Sequence, residues 1–192
     1  MKIIFDDVII FLSTYYFEIL EENMMIDALR QNKNISILLA VLRVYIGYTW
    51  IMAGWGKIAS GQFDASGFLQ GALANSTGEH PAVQEWWVVF LKNIAIPNIE
   101  VFNLLVPWGE LFVGVGLLIG CFTKTAVFFG IAMNFSYMFS GTTSTNPQLV
   151  LLSMFILVSA MNAGRYGVDG LIMPTLKGKL FAKKTRAIKN AA

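Results

Sequence analysis

The chain has very few of the residues that usually hold redox centres and metal ions. Its 192 residues include a single cysteine, Cys121, and a single histidine, His80. One cysteine forms no intramolecular disulfide, no Cys-x-x-Cys pair and no cysteine-based zinc or iron–sulfur site, and one histidine excludes bis-histidine haem ligation within the chain. No Gly-x-Gly-x-x-Gly or P-loop motif occurs. We therefore expect no intrinsic cofactor and no metal site, and redox chemistry would need a partner subunit or a diffusible carrier.

Charged residues are also scarce, at 14% of the chain, whereas hydrophobic residues make up 56% and the mean hydropathy is +0.60. Ordinary globular proteins contain about 25% charged and about 45–50% apolar residues. A soluble domain of this size could not bury so much apolar surface. The composition therefore predicts an integral membrane protein, with the lipid bilayer rather than nucleic acid as its partner.

Four apolar stretches are long enough, or nearly long enough, to cross a bilayer core about 30 Å thick. They run over residues 35–56, 98–119, 123–139 and 147–163. A tight turn at Gly120 should join the second and third stretches as an antiparallel hairpin, and Asn146-Pro147 is typical of a helix start. The sequence therefore predicts an all-α fold, a polytopic four-helix membrane bundle over residues 35–165.

Two flanking segments and one long connection lie outside the predicted spans. Residues 1–34 form an N-terminal extension that we expect to be interfacial or disordered, because its apolar part is too short to span. Residues 166–192 form a basic tail. The connection between the first two spans carries Trp86 and Trp87 beside an apolar face, which is typical of a membrane–water interface. We expect this connection to be an interfacial helical outer loop.

Lysine and arginine are segregated along the chain. They precede the first span, occur in the second loop and are frequent after the fourth span, whereas the opposite side holds only Lys57 and Lys92. Positively charged loops remain on the cytoplasmic side of a membrane. The sequence therefore predicts a multi-pass protein of the cell membrane whose N and C termini are both cytoplasmic, with residues 166–192 as a cytoplasmic tail.

Two ionisable residues lie inside the predicted spans. At 1.5 Å per residue, Arg43 is about 12 Å and Glu110 about 14 Å from the cytoplasmic edge of its span. Since an isolated charge in the bilayer costs at least about 2.5–3.5 kcal/mol, the similar depths predict an Arg43–Glu110 ion pair. Such a pair either binds or protonates a polar head group or only fixes the helix register. At the cytoplasmic exit, Arg165 and Asp169 are expected to form a local salt bridge.

Aromatic and amide side chains in the spans and the nearby turns could complete a binding site around this pair. Tryptophan rings can stack on a ligand and asparagine amides can bond it, although each also has a simpler explanation in helix packing. We predict Glu110 and Arg43 as the catalytic residues. The predicted substrate-binding residues are Trp108, Trp50, Trp55, Asn134 and Asn162.

Several short motifs occur in a fixed order between residues 26 and 175. The first span and the loop after it carry Arg43, Gly47, Trp50, residues 53–57 (AGWGK), Phe63-Asp64 and Gly67-Phe68. The second span and its turn carry residues 106–111 (VPWGEL), Gly114, Gly120 and Thr123, and further along come Asn134 and residues 163–169 (AGRYGVD). In this order and spacing, the motifs resemble the DoxX family of membrane proteins.

The resemblance implies a four-helix membrane protein that interacts with a quinone. The family includes the DoxD subunit of thiosulfate:quinone oxidoreductase, a mycobacterial member associated with oxidative-stress defence, and catechol- and quinone-resistance proteins. We therefore expect a quinone-interacting, oxidoreductase-type subunit linked to redox or quinone stress, with a redox partner subunit. The alternative is a non-enzymatic structural or partner-binding membrane subunit in which the charged pair only locks the bundle.

Overall fold

The computed structural model describes residues 21, 23–159 and 161–172, and within these residues the chain forms helices and no strand. The predicted all-α class is therefore confirmed. The helices are α1 (residues 23–31), α2 (Lys33–Ser60), α3 (Ser66–Ala74), α4 (Glu85–Phe90), α5 (Ile99–Ile119), α6 (Thr123–Phe139), α7 (Asn146–Val158) and α8 (residues 168–172). A π-helical turn over Leu91–Ala95 continues α4.

Four helices pack side by side around one apolar core. Helix α2 lies along α5, α5 along α6, α6 along α7, and α7 returns against α2. The core is filled by fully buried side chains from all four helices, including Ile46, Leu117, Val127 and Ile156. Many other large apolar side chains point outward and are exposed. An outer surface this apolar is typical of helices that face lipid.

The helices differ in whether they are long enough to cross a bilayer. By length and composition, α2 and α5 are the two helices in the described part of the chain that could do so. Helix α6 has 17 residues and α7 has 13, so they reach about 25 Å and about 20 Å against a bilayer core of about 30 Å. The predicted fourth span, over 147–163, is too long at its end, because the helix stops at Val158.

Glycines bring α2 and α5 unusually close together. A Cβ added to Gly54 would lie 2.6 Å from the backbone nitrogen of Leu111, and one added to Gly47 would lie 2.8 Å from that of Leu118. Small residues at a helix–helix interface permit this approach because no side chain separates the two backbones. The contacts fix the register, with Gly54 opposite Leu111 and Gly47 opposite Leu118.

Polar contacts join the segment after α7 to the start of α2. The Asn162 Nδ2 donates hydrogen bonds of 2.9 Å to the carbonyl oxygens of Leu29 and Asn32, and the Ser36 hydroxyl donates one of 2.9 Å to the Asn162 carbonyl. These bonds turn the chain after α7 towards the α1–α2 junction. Within the N-terminal extension, residues 23–31 are helical. Residues 1–20 and the tail from 173 onwards lie outside the described residues.

The connection between α2 and α5 is helical, as predicted. We call residues 61–98, which contain α3, α4 and the π-helical turn, the cap. The cap has its own small core around Leu69, Val83 and Leu91. Among the bonds that join it to the long helices, the Asn103 Oδ1 accepts from the Ala65 N–H at 2.7 Å, and the Trp87 Nε1–H donates to the Ser140 hydroxyl at 2.9 Å.

Candidate functional site

The predicted Arg43–Glu110 ion pair is wrong, because the two residues lie at different levels of the α2–α5 interface. Glu110 adjoins Gly54, whereas a Cβ at Gly120 would overlap the Arg43 guanidinium. No hydrogen bond or ion pair joins Arg43 to Glu110 in the described part of the chain. The prediction assumed that the start of α2 and the end of α5 share one level. The glycine contacts instead let the first turns of α2 extend past the end of α5.

Glu110 pairs with Lys57 and Tyr137. The Glu110 Oε2 lies 2.6 Å from the Lys57 Nζ, and the Oε1 accepts a hydrogen bond of 2.7 Å from the Tyr137 hydroxyl. The Glu110 side chain is 3% exposed, while that of Lys57 is 29% exposed. We call these three residues the Glu110 cluster. Its carboxylate is buried and paired, which is how an ionised group is accommodated away from water.

Three long helices and the cap meet at the Glu110 cluster. Lys57 comes from the last turn of α2, Glu110 from the middle of α5 and Tyr137 from the end of α6. On the cap side, the Lys57 ammonium lies 5.8 Å from the centroid of the Phe63 ring, and Phe68 packs edge-on against Tyr137 at 5.9 Å. The cap therefore covers the polar cluster with aromatic rings.

Sequence reasoning missed Lys57 and Tyr137 as site residues. Lys57 counted as one of the few positive charges on the outer side and was not considered as a partner inside the protein. A signal was present in the spacing, because Lys57 follows Arg43 by fourteen residues and therefore lies on the same face of the helix. Tyr137 lies in the predicted third span, and a phenol there needs a polar partner.

A cavity of about 890 Å³ borders all three residues of the Glu110 cluster. It lies between α5 and α6 and extends under the cap. Its walls are mostly apolar and aromatic, which is typical of pockets that bind small organic molecules through a few polar groups. The aromatic residues of its lining are Phe63, Phe68, Trp87, Phe90, Phe102, Phe112, Phe122, Phe129 and Tyr137.

Arg43 belongs to a separate polar contact at the opposite end of α6. Its Nη2 donates a hydrogen bond of 2.9 Å to the carbonyl oxygen of Tyr166. Nearby, the Asp169 carboxylate accepts bonds of 2.8 Å from the backbone N–H groups of Phe122 and Thr123. A carboxylate at a helix N-terminus satisfies N–H groups that have no partner within the helix. These bonds fasten the segment after α7 to the turn between α5 and α6.

The predicted Arg165–Asp169 salt bridge is also wrong. The Asp169 carboxylate is occupied by the backbone of the α5–α6 turn. The Arg165 Nη1 instead lies 3.4 Å from the Gln31 carbonyl oxygen and 3.4 Å from the Asn162 Oδ1. The spacing of four residues indicates a pair only where the helix continues, and the chain forms turns and bends over residues 161–167.

The three tryptophans predicted to bind substrate do not border the cavity. Trp55 is exposed on the outside of α2. Trp108 is partly exposed and packs at a tilt against Phe112, with 5.8 Å between ring centroids. Trp50 is buried in the core against Gly130, and its Nε1–H has no hydrogen-bond partner among the described residues. The structure therefore gives Trp50 a packing position.

The two predicted asparagines also lie away from the cavity. Asn134 is fully buried in α6, and neither polar atom of its amide has a partner in the described structure. Asn162 has the bonds to the α1–α2 junction given above. Among the described residues, no group of three or more His, Cys, Asp and Glu side chains is placed to hold a metal ion.

Comparison with known proteins gives a family for this arrangement. The model of the DoxX family matches residues 38–142, which is more than half of the chain. No curated protein and no solved structure matches. The matched region starts in α2, includes the cap and ends just after α6, so it contains the whole Glu110 cluster. Together with the apolar helices, this match shows that the chain belongs to the DoxX family of membrane proteins.

Proposed function

We propose that this protein interacts with a quinone as an oxidoreductase-type membrane subunit, and that the quinone head group binds at the Glu110 cluster. The observation that carries the proposal is the cavity of about 890 Å³, which is apolar along most of its walls and reaches a buried carboxylate, ammonium and phenol. In the purely structural alternative, the charged pair would be enclosed by side chains. A cavity that reaches the carboxylate favours binding.

The donors and acceptors of the cluster suit both redox forms of a quinone. The quinone carbonyls accept hydrogen bonds, which the Lys57 ammonium can donate, since it has three N–H groups, whereas the single O–H of Tyr137 is directed to Glu110. The quinol hydroxyls donate, and the Glu110 carboxylate accepts. Reduction of a quinone to a quinol takes up two electrons and two protons. Glu110 can carry one of the two protons to a quinone oxygen and the second would come from water, whereas the two electrons would come from a partner subunit or a diffusible carrier.

We also propose that the four packed helices α2, α5, α6 and α7 all cross the membrane, with both termini cytoplasmic and the cap outside. The support is the segregation of lysine and arginine, together with the side-by-side packing of α2, α5, α6 and α7. The short helices α6 and α7 would then lie in locally thinned lipid. A reporter fused after Ala192 should read cytoplasmic and one inserted near Ser76 external. The reverse pattern would contradict the orientation.

The binding proposal is tested by titrating the purified protein with menadione and following tryptophan fluorescence, because Trp87 lines the cavity. Glu110→Gln removes the charge and the exchangeable proton but keeps the shape. A hydrogen bond to a charged group contributes about 1.5–3 kcal/mol, so we expect an affinity about 10- to 100-fold weaker. Glu100→Gln is the matched control, since Glu100 is an exposed carboxylate on the same helix. Equal affinities for both variants would exclude Glu110 from the site.

A further inference from the structure

The cavity continues along the full length of the α5–α6 interface, far beyond the Glu110 cluster. On α5, lining residues recur every three or four positions from Phe102 to Ile119, and on α6 they do so from Phe122 to Ser140. A helix of 17 residues is about 25 Å long. A head group of one or two rings covers only a fraction of that length. The remainder of the cavity needs another occupant.

The charged groups and the phenol of the lining are concentrated under the cap. Lys57, Glu110 and Tyr137 lie there beside apolar residues of the cap, while the part towards Cys121 is lined mainly by aliphatic and aromatic side chains. The site therefore matches an amphiphile with a polar head and a long apolar chain. Because the charges of Lys57 and Glu110 cancel, the polar end suits an uncharged head group better than a phosphate.

The cavity also opens sideways between α5 and α6. Phe112, Phe122 and Phe129 line it, yet each is more than half exposed on the outside of the protein. In a membrane, this outer surface faces lipid. The cap meanwhile covers the polar end, since the Trp87 Nε1–H bonds to the Ser140 hydroxyl at the end of α6. A ligand dissolved in the bilayer can enter through the open side without crossing the cap.

We propose that the physiological ligand is a quinone with a long isoprenoid tail, which enters sideways from the bilayer and lays its tail in the α5–α6 groove towards Phe122. This inference rests on the proposed function, because it takes the head group at the Glu110 cluster as given. It adds the class of quinone and its direction of entry. Tailless soluble quinones occupy only the capped end of the site.

The experiment compares two probes, menadione without a tail and an analogue of the same ring with a four-unit isoprenoid tail. Thr125 lines the groove near its inner end and is exposed, so Thr125→Phe fills the groove without touching the Glu110 cluster. Ala132→Phe is the matched control, because Ala132 is an exposed residue of α6 that does not line the cavity. Affinities are measured in lipid nanodiscs and expressed per quinone in the lipid phase.

We expect Thr125→Phe to weaken binding of the tailed probe about tenfold, the effect of an overpacked groove, and to leave menadione binding unchanged. Ala132→Phe should change neither affinity. If both probes bind the wild-type protein and Thr125→Phe changes their affinities equally or not at all, the tail does not lie in the α5–α6 groove, while the proposed head-group site stands. If neither probe binds the wild-type protein, the proposed function itself fails. Folding of each variant is checked by its melting temperature.

Discussion

The pairing of Glu110 with Lys57 rather than Arg43 leads to a quantitative prediction about stability. Lys57→Met would leave the Glu110 carboxylate buried, at 3% exposure, with the Tyr137 hydroxyl as its remaining partner among the described residues. Removing one partner of a buried pair costs about 3–5 kcal/mol. Glu110→Gln should lower the free energy of unfolding by less, about 1–2 kcal/mol, because the Lys57 side chain is 29% exposed and its ammonium can move to water or lipid head groups.

Double-mutant cycles provide the assay, with the free energy of unfolding measured by denaturant titration in mixed micelles. We expect a coupling energy of about 1–3 kcal/mol between Lys57 and Glu110, since groups in direct contact are not additive. The matched cycle of Arg43→Gln with Glu110→Gln should be additive within about 0.5 kcal/mol. Additivity in the first cycle combined with strong coupling in the second would refute the register of α2 and α5 described above.

Three further predictions concern the packing that positions the site. Gly54→Ala should lower the free energy of unfolding by about 1–3 kcal/mol through overpacking against α5. Gly56→Ala is the control and should be neutral or stabilising, because a Cβ at Gly56 meets no neighbour within 4 Å among the described residues. Equal melting temperatures for the two variants would contradict the close contact at Gly54. Asp169→Ala should lower the free energy of unfolding by about 0.5–2 kcal/mol, as for other helix caps, and should speed amide exchange in the first turn of α6. Unchanged amide exchange in that turn would argue against Asp169 as its cap. Trp87→Phe should increase amide exchange in α3 and α4 because it removes the hydrogen bond to Ser140 at the end of α6. Trp86→Phe removes a bond within the cap and should leave amide exchange in α3 unchanged. Identical exchange profiles for the two variants would argue against the Trp87–Ser140 bond.

The helices could be predicted from the sequence because their signals are local. The apolar stretches locate α2, α5 and α6 to within a few residues, and Gly120, with φ of +69°, ends α5 where a left-handed residue is needed. The fourth helix was predicted too long because its apolar run continues past Val158. Contacts made by Asn162 with the distant α1–α2 junction end the regular structure there, and a local pattern carries no record of them.

The partner of Glu110 could not be predicted because it depends on the register between two helices. Depth was counted from helix ends, whereas the register is set by backbone contacts at Gly47 and Gly54. A shift of a few turns along α2 exchanges Arg43 for Lys57 as the nearest positive charge. Glu110 itself could be predicted, since a carboxylate inside an apolar helix is costly unless it is paired or used.

The most direct test of the proposed site is photolabelling with a light-activated azidoquinone, followed by mass spectrometry of the labelled peptides. If the head group binds at the Glu110 cluster, the label should appear on α5 near Glu110 and on α6 near Tyr137. Excess menadione should suppress it, and Glu110→Gln should reduce it about 10-fold or more. Labelling concentrated around Arg43, or labelling that menadione does not suppress, would contradict a quinone site at the Glu110 cluster.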